Sequence, residues 1–323
     1  MAQTTPRDLH VDTLLTNVSI AQYNAPSRYI ARQIAPEITV KKQSDIYTVY
    51  DQSHWFRNEA RVRAPGTKSQ RGGWSVTNTN TYYAKRVSYG HEIADEERDN
   101  SDAPFNMDSE ATAFVTDKVM MHHEVAWATT NFTTGIWGAD RTGAASGGDF
   151  VYWSDYGGSS PLTDIDTYAD NIDARIANDP NTLVIGKQVW QKVKRHPDVI
   201  DLIKYTQRGQ LTLDLFASLI EIPKVLVGRA IYTTSAEGTA EASVSYTRIW
   251  GKHALLAYVA ERPSLMTPSA AYTFTWGRVP NSPLYIKRMR EEDREVDVFE
   301  ANSYFDFKVT AARAGEFLNG AVA

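Results

Sequence analysis

The chain has 323 residues, 42% of them hydrophobic, which is enough to bury a full core and to divide into two domains with extensions. A formal net charge of −5 argues against a dedicated nucleic-acid binder, which is usually strongly basic. Cysteine is absent, so disulfides, thiol chemistry and cysteine-ligated zinc are excluded.

The first twelve residues, MAQTTPRDLHVD, lack the apolar centre of a signal peptide, and no uninterrupted apolar run reaches the ~20 residues of a membrane span. The expectation is a soluble protein made in a cytoplasm, with no membrane partner. Residues 1–36 carry scattered apolar positions such as Leu14, Val18, Ile20, Tyr29 and Ile34, without a sustained period and with Pro26 and Pro36 among them. Such a segment is either a flexible tail or an arm that packs on other chains.

From Lys41 the pattern changes. IYTVY at 46–50 and TYYAKRVSY at 81–89 are β-branched and aromatic, and predict two strands. Between them WFRNEARVRAPGTKSQRGGW is too polar and glycine-rich to form its own core, so the tip of this long hairpin needs support from elsewhere or is a disordered surface loop. Charge is sorted along this part. Residues 41–92 hold nine basic and four acidic side chains, net +5, and residues 93–124 hold two basic and nine acidic, net −7. Runs of one sign are usually solvated faces, but two adjacent runs of opposite sign suggest a head-to-tail contact between copies. The candidate contact residues are Arg57, Arg61, Arg63, Lys68 and Arg71 on the hairpin, against Asp95, Glu96 and Glu97.

Asp108 to Phe132 is the longest helical candidate, with Ala111, Phe114, Met121, Val125, Ala128 and Phe132 as its expected apolar stripe. Residues 135–161 read as loop, with a possible small hairpin around Phe150 to Trp153. TDIDTYADNIDARIAN predicts a helix capped by Thr163 or Asp164. The stretch from Asn181 to Thr233 is a compact α/β layer. Thr182–Ile185 is a buried strand, and Val189, Trp190 and Val193 lie on a first helix. Pro197 opens a second helix and Thr212 caps a third. Gly209 punctuates it, and Val225–Val227 returns as a strand. Further strands are expected at 244–250, 254–260 and 271–277. Phe305, Phe307, Val309 and Ala311 then alternate with polar residues as a half-buried strand does, placed beside the long helix.

Catalytic patterns fail one by one. His122, His123 and Glu124 invite a zinc-protease reading, but position 127 is Trp127 where HExxH needs its second His, so these polar residues are expected on a solvent or interface side of the helix. Asp164, Asp166, Asp170 and Asp173 resemble a calcium loop, yet Tyr168 takes the third ligand position. Gly138 and Gly143 have the spacing of a phosphate loop without its Lys and Ser/Thr. No cofactor or metal site is expected. Eight Trp and seventeen Tyr suit sugar platforms as well as protein interfaces. A hydrolase or sugar-binding protein is therefore the alternative from another class, although no constellation of residues supports it.

The order VIGKQVWQKVKRHPDVIDLIKYTQRG, PKVLVGRA and IWGKHALLAYV, with GHEIADEERDN after the hairpin and FDFKVTAARAG at the close, resembles the tailed-phage major capsid proteins of Hong Kong 97-like fold. The resemblance implies an α+β fold with an N-terminal arm over 1–36 and an extended β-hairpin loop over 37–92. It implies a peripheral domain with a long spine helix from 93–135 and 262–323, a loop insertion over 136–162 and an axial domain over 163–261. It implies no enzymatic activity. The subunit would self-associate into hexamers and pentamers of an icosahedral head, with a separate scaffolding protein, a portal, a possible decoration protein and double-stranded DNA contacted non-specifically. Its place would be the virion capsid, after synthesis in the host bacterial cytoplasm. Within the same fold, an encapsulin-like nanocompartment is the alternative.

Overall fold

The computed structural model describes residues 26–101, 106–203, 211–262, 268–277 and 284–323. Residues 1–25 of the expected arm, Asp102 of the acidic run and Gly209 lie outside the described residues.

A 3-10 turn at Pro26–Arg28 leads into α1 (Ala31–Ile34) and β1 (Glu37–Thr39). β2 (Ser44–Tyr50) and β3 (Val76–Tyr83) form an antiparallel hairpin. α2 (Gln52–Trp55) follows β2 and is capped by Asp51, which accepts from the Ser53 amide. β4 (Lys85–Ala94) and α3 (Asp95–Asp99) come next. α4 (Met107–Asn131) then starts at Asn106, whose side chain accepts from the Ser109 amide. β5 (Ala139–Ala144), β6 (Phe150–Val151) and α5 (Pro161–Ile176) lead to the central layer. That layer is β7 (Thr182–Gly186), α6 (Lys187–Val193), α7 (Pro197–Ile203), α8 (Leu213–Leu219) and β8 (Lys224–Gly228). The chain closes with β9 (Ile231–Thr233), β10 (Tyr246–Arg248), β11 (Ala254–Ala257), β12 (Ala271–Thr275), β13 (Leu284–Glu291), β14 (Val296–Val309) and β15 (Gly315–Asn319).

Two sheets carry the body. One has six strands in the order β6-β5-β15-β11-β7-β8. Every residue of β7 and β11 is buried, as a continuous apolar run must be when both faces of a sheet are covered. The other sheet runs β1-β12-β14-β13, with β4 also paired to β14. The long β14 is its axis: Val296–Phe305 pairs with β4, Val296–Ser303 with β13 and Phe305–Val309 with β12. α4 lies on the face that carries Val87, Phe299 and Ala301, against which it buries Ala111, Val115 and Val119.

The three helices of the central stretch form where their periodicity places them, and Thr212 caps α8 by accepting from the Leu215 amide. Several other expectations are corrected. Tyr29, Ile30, Ala31, Ile34 and Ala35, expected within a tail or an arm that packs on other chains, are buried in the subunit's own core. The expected hairpin over 37–92 narrows to 44–83, because β1 pairs with β12 and β4 with β14. Residues 136–162, expected as loop, contain two strands: β5 joins β15 in parallel and β6 joins β5. The tail does not stay with the β14 sheet. β15 crosses to the six-stranded sheet and pairs antiparallel with β11, because Phe317 and Leu318 complete that apolar layer. α5 starts at Pro161 rather than at Thr163, with Ser160 in the capping position making no side-chain bond to the helix amides.

Candidate assembly surfaces

The expected stripe on α4 is rotated. Phe114 is 43% exposed, while His123 and Glu124, expected at solvent or an interface, are 2% and 1% exposed. Both find partners that make burial tolerable. Glu124 accepts from the backbone amides of Ile30 and Ala31 at 2.9–3.0 Å and from Trp250 Nε1 at 2.6 Å. Burial raises its pKa and these three donors oppose the shift. His123 Nε2 meets Ser303 Oγ at 3.1 Å and its ring lies 3.6 Å from that of Phe305, so burial holds the imidazole neutral, well below its usual pKa. Trp127 Nε1 adds a bond to the Ala31 carbonyl. One helix thus ties the N-terminal segment to Trp250, beside the six-stranded sheet.

The hairpin carries the basic candidates. Arg57, Arg61, Arg63, Lys68 and Arg71 are all exposed, in a segment without regular structure between α2 and β3. Arg57 lies 3.6 Å from Glu59. Tyr50, Trp55 and Trp74 stack edge to face and obliquely, with centroids 6.3 and 6.2 Å apart, and all three are exposed. Just beyond the loop-ward end of the paired strands, Gln52 Nε2 donates to the Arg175 carbonyl at the end of α5.

The acidic candidates divide. Asp95 is engaged within its own chain: Arg290 Nη1 and Nη2 donate to its two oxygens at 2.6 and 2.5 Å, which lowers its pKa. Arg98 bridges Asp95, Asp108 and Asp297, and Arg288 reaches Asp108 and Asp297. Glu96 is exposed and Glu97 half-buried, and neither has an ion pair among the described residues. The hairpin cations and these carboxylates do not meet within one chain. The sequence reasoning missed Arg288 and Arg290, which pair with Asp108 and Asp95 of the acidic run, and Arg294, which pairs with Glu92 just before it; β14 brings β13 and β4 together across nearly 200 residues of sequence.

Ser159, His196 and Asp198 come together in a way that imitates a nucleophilic triad. Ser159 Oγ is 3.0 Å from His196 Nε2, and His196 Nδ1 is 3.7 Å from Asp198 Oδ2. The protons are wrong for catalysis. His196 Nδ1 accepts from the Asp198 amide, which leaves the ring proton on Nε2, and Ser159 donates to the Asp155 carbonyl. An imidazole already protonated at Nε2 cannot take the serine's proton. The group instead fastens the 153–160 loop to α7, with Asp164 accepting from Trp153 Nε1 and Ser160 donating to Asp198. Gly143 lies in β5 rather than in a phosphate loop. Among the described residues no group of three or more His, Asp or Glu is placed to hold a metal ion. None of the described helices is long and apolar enough to cross a membrane.

Two sheets, a long helix laid on one of them and a separate two-stranded hairpin define the class: this is the Hong Kong 97-like capsid fold. A family model described as phage major capsid protein E matches residues 152–304. Over 320 residues the chain is 25% identical to the major capsid protein of Burkholderia phage BcepMu, covering 96% of each chain. A phage-related protein from Bordetella bronchiseptica RB50 superposes with a TM-score of 0.70 at 20% identity, over 92% of this chain and 94% of that one. The capsid structure of cyanophage P-SCSP1u gives 0.62 at 14% identity, over 100% and 96%. The likeness in fold extends to the SrpI encapsulin of Synechococcus elongatus PCC 7942, with 0.53 at 12% identity over 100% and 96%. Along nearly its whole length the chain is thus similar to phage major capsid proteins.

Proposed function

We propose that the chain is the major capsid subunit of a phage head, self-associating into hexamers and pentamers of an icosahedral shell that encloses double-stranded DNA. The observation that carries this reading is the end-to-end similarity to a phage major capsid protein, joined to the capsid fold. Its mechanism is association rather than catalysis. Apolar burial at about 25 cal/mol per Å² and weak exposed ion pairs of ~0.2–1 kcal/mol add up over many repeated contacts. In this reading the six-stranded sheet with α5 to α8 is the axial domain, and the β14 sheet with α4 as its spine helix is the peripheral domain. The hairpin is the extended loop that carries Arg57, Arg61, Arg63, Lys68 and Arg71 to Glu96 and Glu97 of a neighbour, while Asp95 stays with Arg290 of its own chain. A separate scaffolding protein, a portal and a decoration protein are the expected further partners, the virion capsid is the site, and the host bacterial cytoplasm is the place of synthesis.

The encapsulin-like reading is favoured by one observation, the likeness to the SrpI shell, which at 12% identity carries the fold and not the cargo. Electron microscopy of the purified protein tests assembly, and extraction of shell contents after nuclease treatment separates the two readings. Shells or capsomer rings with protected DNA are expected; shells filled with protein cargo would overturn the phage reading, and a monodisperse monomer would overturn both.

A further inference from the structure

At the carboxyl ends of β7 and β8 the sequence turns basic. β7 and β8 pair in parallel with Gly186 opposite Gly228, so Lys187 and Arg229, the next residue of each, leave from neighbouring strand ends, which lie about 5 Å apart. Arg248 ends β10 opposite Ile231, two residues beyond Arg229. Arg28 joins them from the N-terminal turn, because the adjoining Ile30 and Ala31 are held on Glu124 together with Trp250. Trp250 in turn packs against Gly228, where an added Cβ would lie 2.1 Å from the indole. Lys194, at the end of α6, is the fifth cation. Four separate segments of chain therefore converge on one rim.

None of these five side chains makes an ion pair or a hydrogen bond among the described residues. All five are exposed or half-exposed. Burial and then the fields of Arg248, Arg229, Arg28 and Lys194 push the Lys187 ammonium below its usual pKa, and no carboxylate offsets them. Five like charges gathered without a counter-charge are mutually repulsive in the free subunit, and an anion that arrives from outside relieves the repulsion.

We propose that Arg28, Lys187, Lys194, Arg229 and Arg248 form a sequence-independent site for the phosphodiester backbone of the enclosed duplex, which turns this rim toward the shell interior. The inference rests on the capsid reading and adds to it the face that meets DNA. A line of charges suits the rim better than an isolated carboxylate does: duplex DNA presents one negative charge per ~1.7 Å of axis, and the cations here are spread over several strand ends. A second copy of the chain has less to offer. On its acidic run Asp95 is paired with Arg290 and Asp108 with Arg98 and Arg288, and Glu96 and Glu97 are, in the proposed contact, already taken by the hairpin of a neighbour.

The test uses the full chain as capsomers and a labelled random duplex of about 20 base pairs, titrated by fluorescence anisotropy between about 50 and about 200 mM salt. Five phosphate contacts give a slope of log K against log salt of about −4.5, hence about a 500-fold loss of affinity over that range. The triple variant K187Q/R229Q/R248Q is expected to keep two contacts, with a slope of about −1.8 and about a twelvefold loss, while still forming rings or shells. The single variant R229Q, at an exposed position, should lower the slope by about 0.9 and serves if the triple variant does not fold. Parent-like slopes in these variants would overturn the proposal. So would a triple variant that still binds duplex but no longer assembles, since the rim would then be a contact between copies. A parent chain that forms neither rings nor shells would instead refute the capsid reading, a result the duplex titration does not mimic.

Discussion

Trp250 donates its indole N–H to Glu124 at 2.6 Å across 126 residues of sequence, and the same carboxylate holds the amides of Ile30 and Ala31. Removing the acceptor leaves three buried donors without a partner, each worth about 1–3 kcal/mol, though not additively. Glu124→Ala is therefore expected to lower unfolding stability by about 3 kcal/mol or more, and Trp250→Phe by about 1 kcal/mol, read from denaturant midpoints. Hydrogen exchange should find the Ile30 and Ala31 amides protected in unassembled parent subunits and unprotected in Glu124→Ala. An alanine variant as stable as the parent would show that this node is dispensable.

The carboxylates divide by sign in their effect on pH stability. Glu124 has a raised folded pKa, first from burial, so its contribution is complete below its unfolded value near 4.5 and is lost as pH rises through the folded value. Glu92, Asp95 and Asp297 are lowered, first by their bonds to Arg294, Arg290 and Arg288 respectively. Their contribution is present above unfolded values of 4.5, 3.8 and 3.8 and is lost as pH falls through the depressed ones. Unfolding midpoints measured as a pH series should fall on the acid side in the parent, and fall less steeply in Arg290→Gln with Arg294→Gln. Superimposable acid limbs would mean that these exposed pairs are too screened to matter.

Gly186 and Gly228 are required for space rather than for backbone freedom. A Cβ on Gly228 would lie 2.1 Å from the Trp250 ring, and one on Gly186 would lie 2.1 Å from the Gly251 carbonyl oxygen. Alanine at either is expected to cost about 1–3 kcal/mol or more through overpacking. Gly73, in the hairpin, has nothing within 4 Å of a built Cβ and no positive φ, so Gly73→Ala should stay within about 0.5 kcal/mol of the parent. Thermal unfolding of the three variants checks the contrast. Equal shifts would mean that the sheet end relaxes freely around Trp250.

Local signals carried the fold where the chemistry was local. The apolar run Thr182–Ile185, the Thr212 cap and the helix after Asp108 are visible because burial, capping and period act over a few residues. What stayed hidden depends on pairing at long range. The stripe on α4 was misplaced because Glu124 and His123 read as surface residues. Their partners are backbone amides of the N-terminal segment, an indole more than a hundred residues away and Ser303. β15 could not be assigned to its sheet from Phe317 and Leu318 alone, since an apolar strand fits either layer until the pairing with β11 is known. The charge sorting between hairpin and helix entry was legible, but not that Arg290 had already claimed Asp95.

The hairpin contact is the prediction that most directly tests how copies join. Arg61 and Arg63 are exposed on a segment with no core beneath it, and Glu96 is exposed and Glu97 half-buried at α3. Acids in a first helical turn already gain from the helix dipole, so Glu96 and Glu97 could serve α3 alone. Charge reversal distinguishes the two roles. Arg61→Glu with Arg63→Glu should leave the circular dichroism of the subunit unchanged, because neither side chain has an intrachain partner among the described residues, and should impair shell formation. Adding Glu96→Lys with Glu97→Lys should partly restore assembly, as opposite signs meet again. Each exposed pair contributes only ~0.2–1 kcal/mol and is screened over about 8 Å at physiological ionic strength. The effect belongs in assembly yield and its salt dependence, where a shell repeats the contact many times. Should both reversed forms assemble like the parent at low salt, charge is not what seats the hairpin. The exposed Tyr50, Trp55 and Trp74 group would then be the part that docks, and Trp55→Ser with Trp74→Ser would abolish assembly where the charge reversals did not.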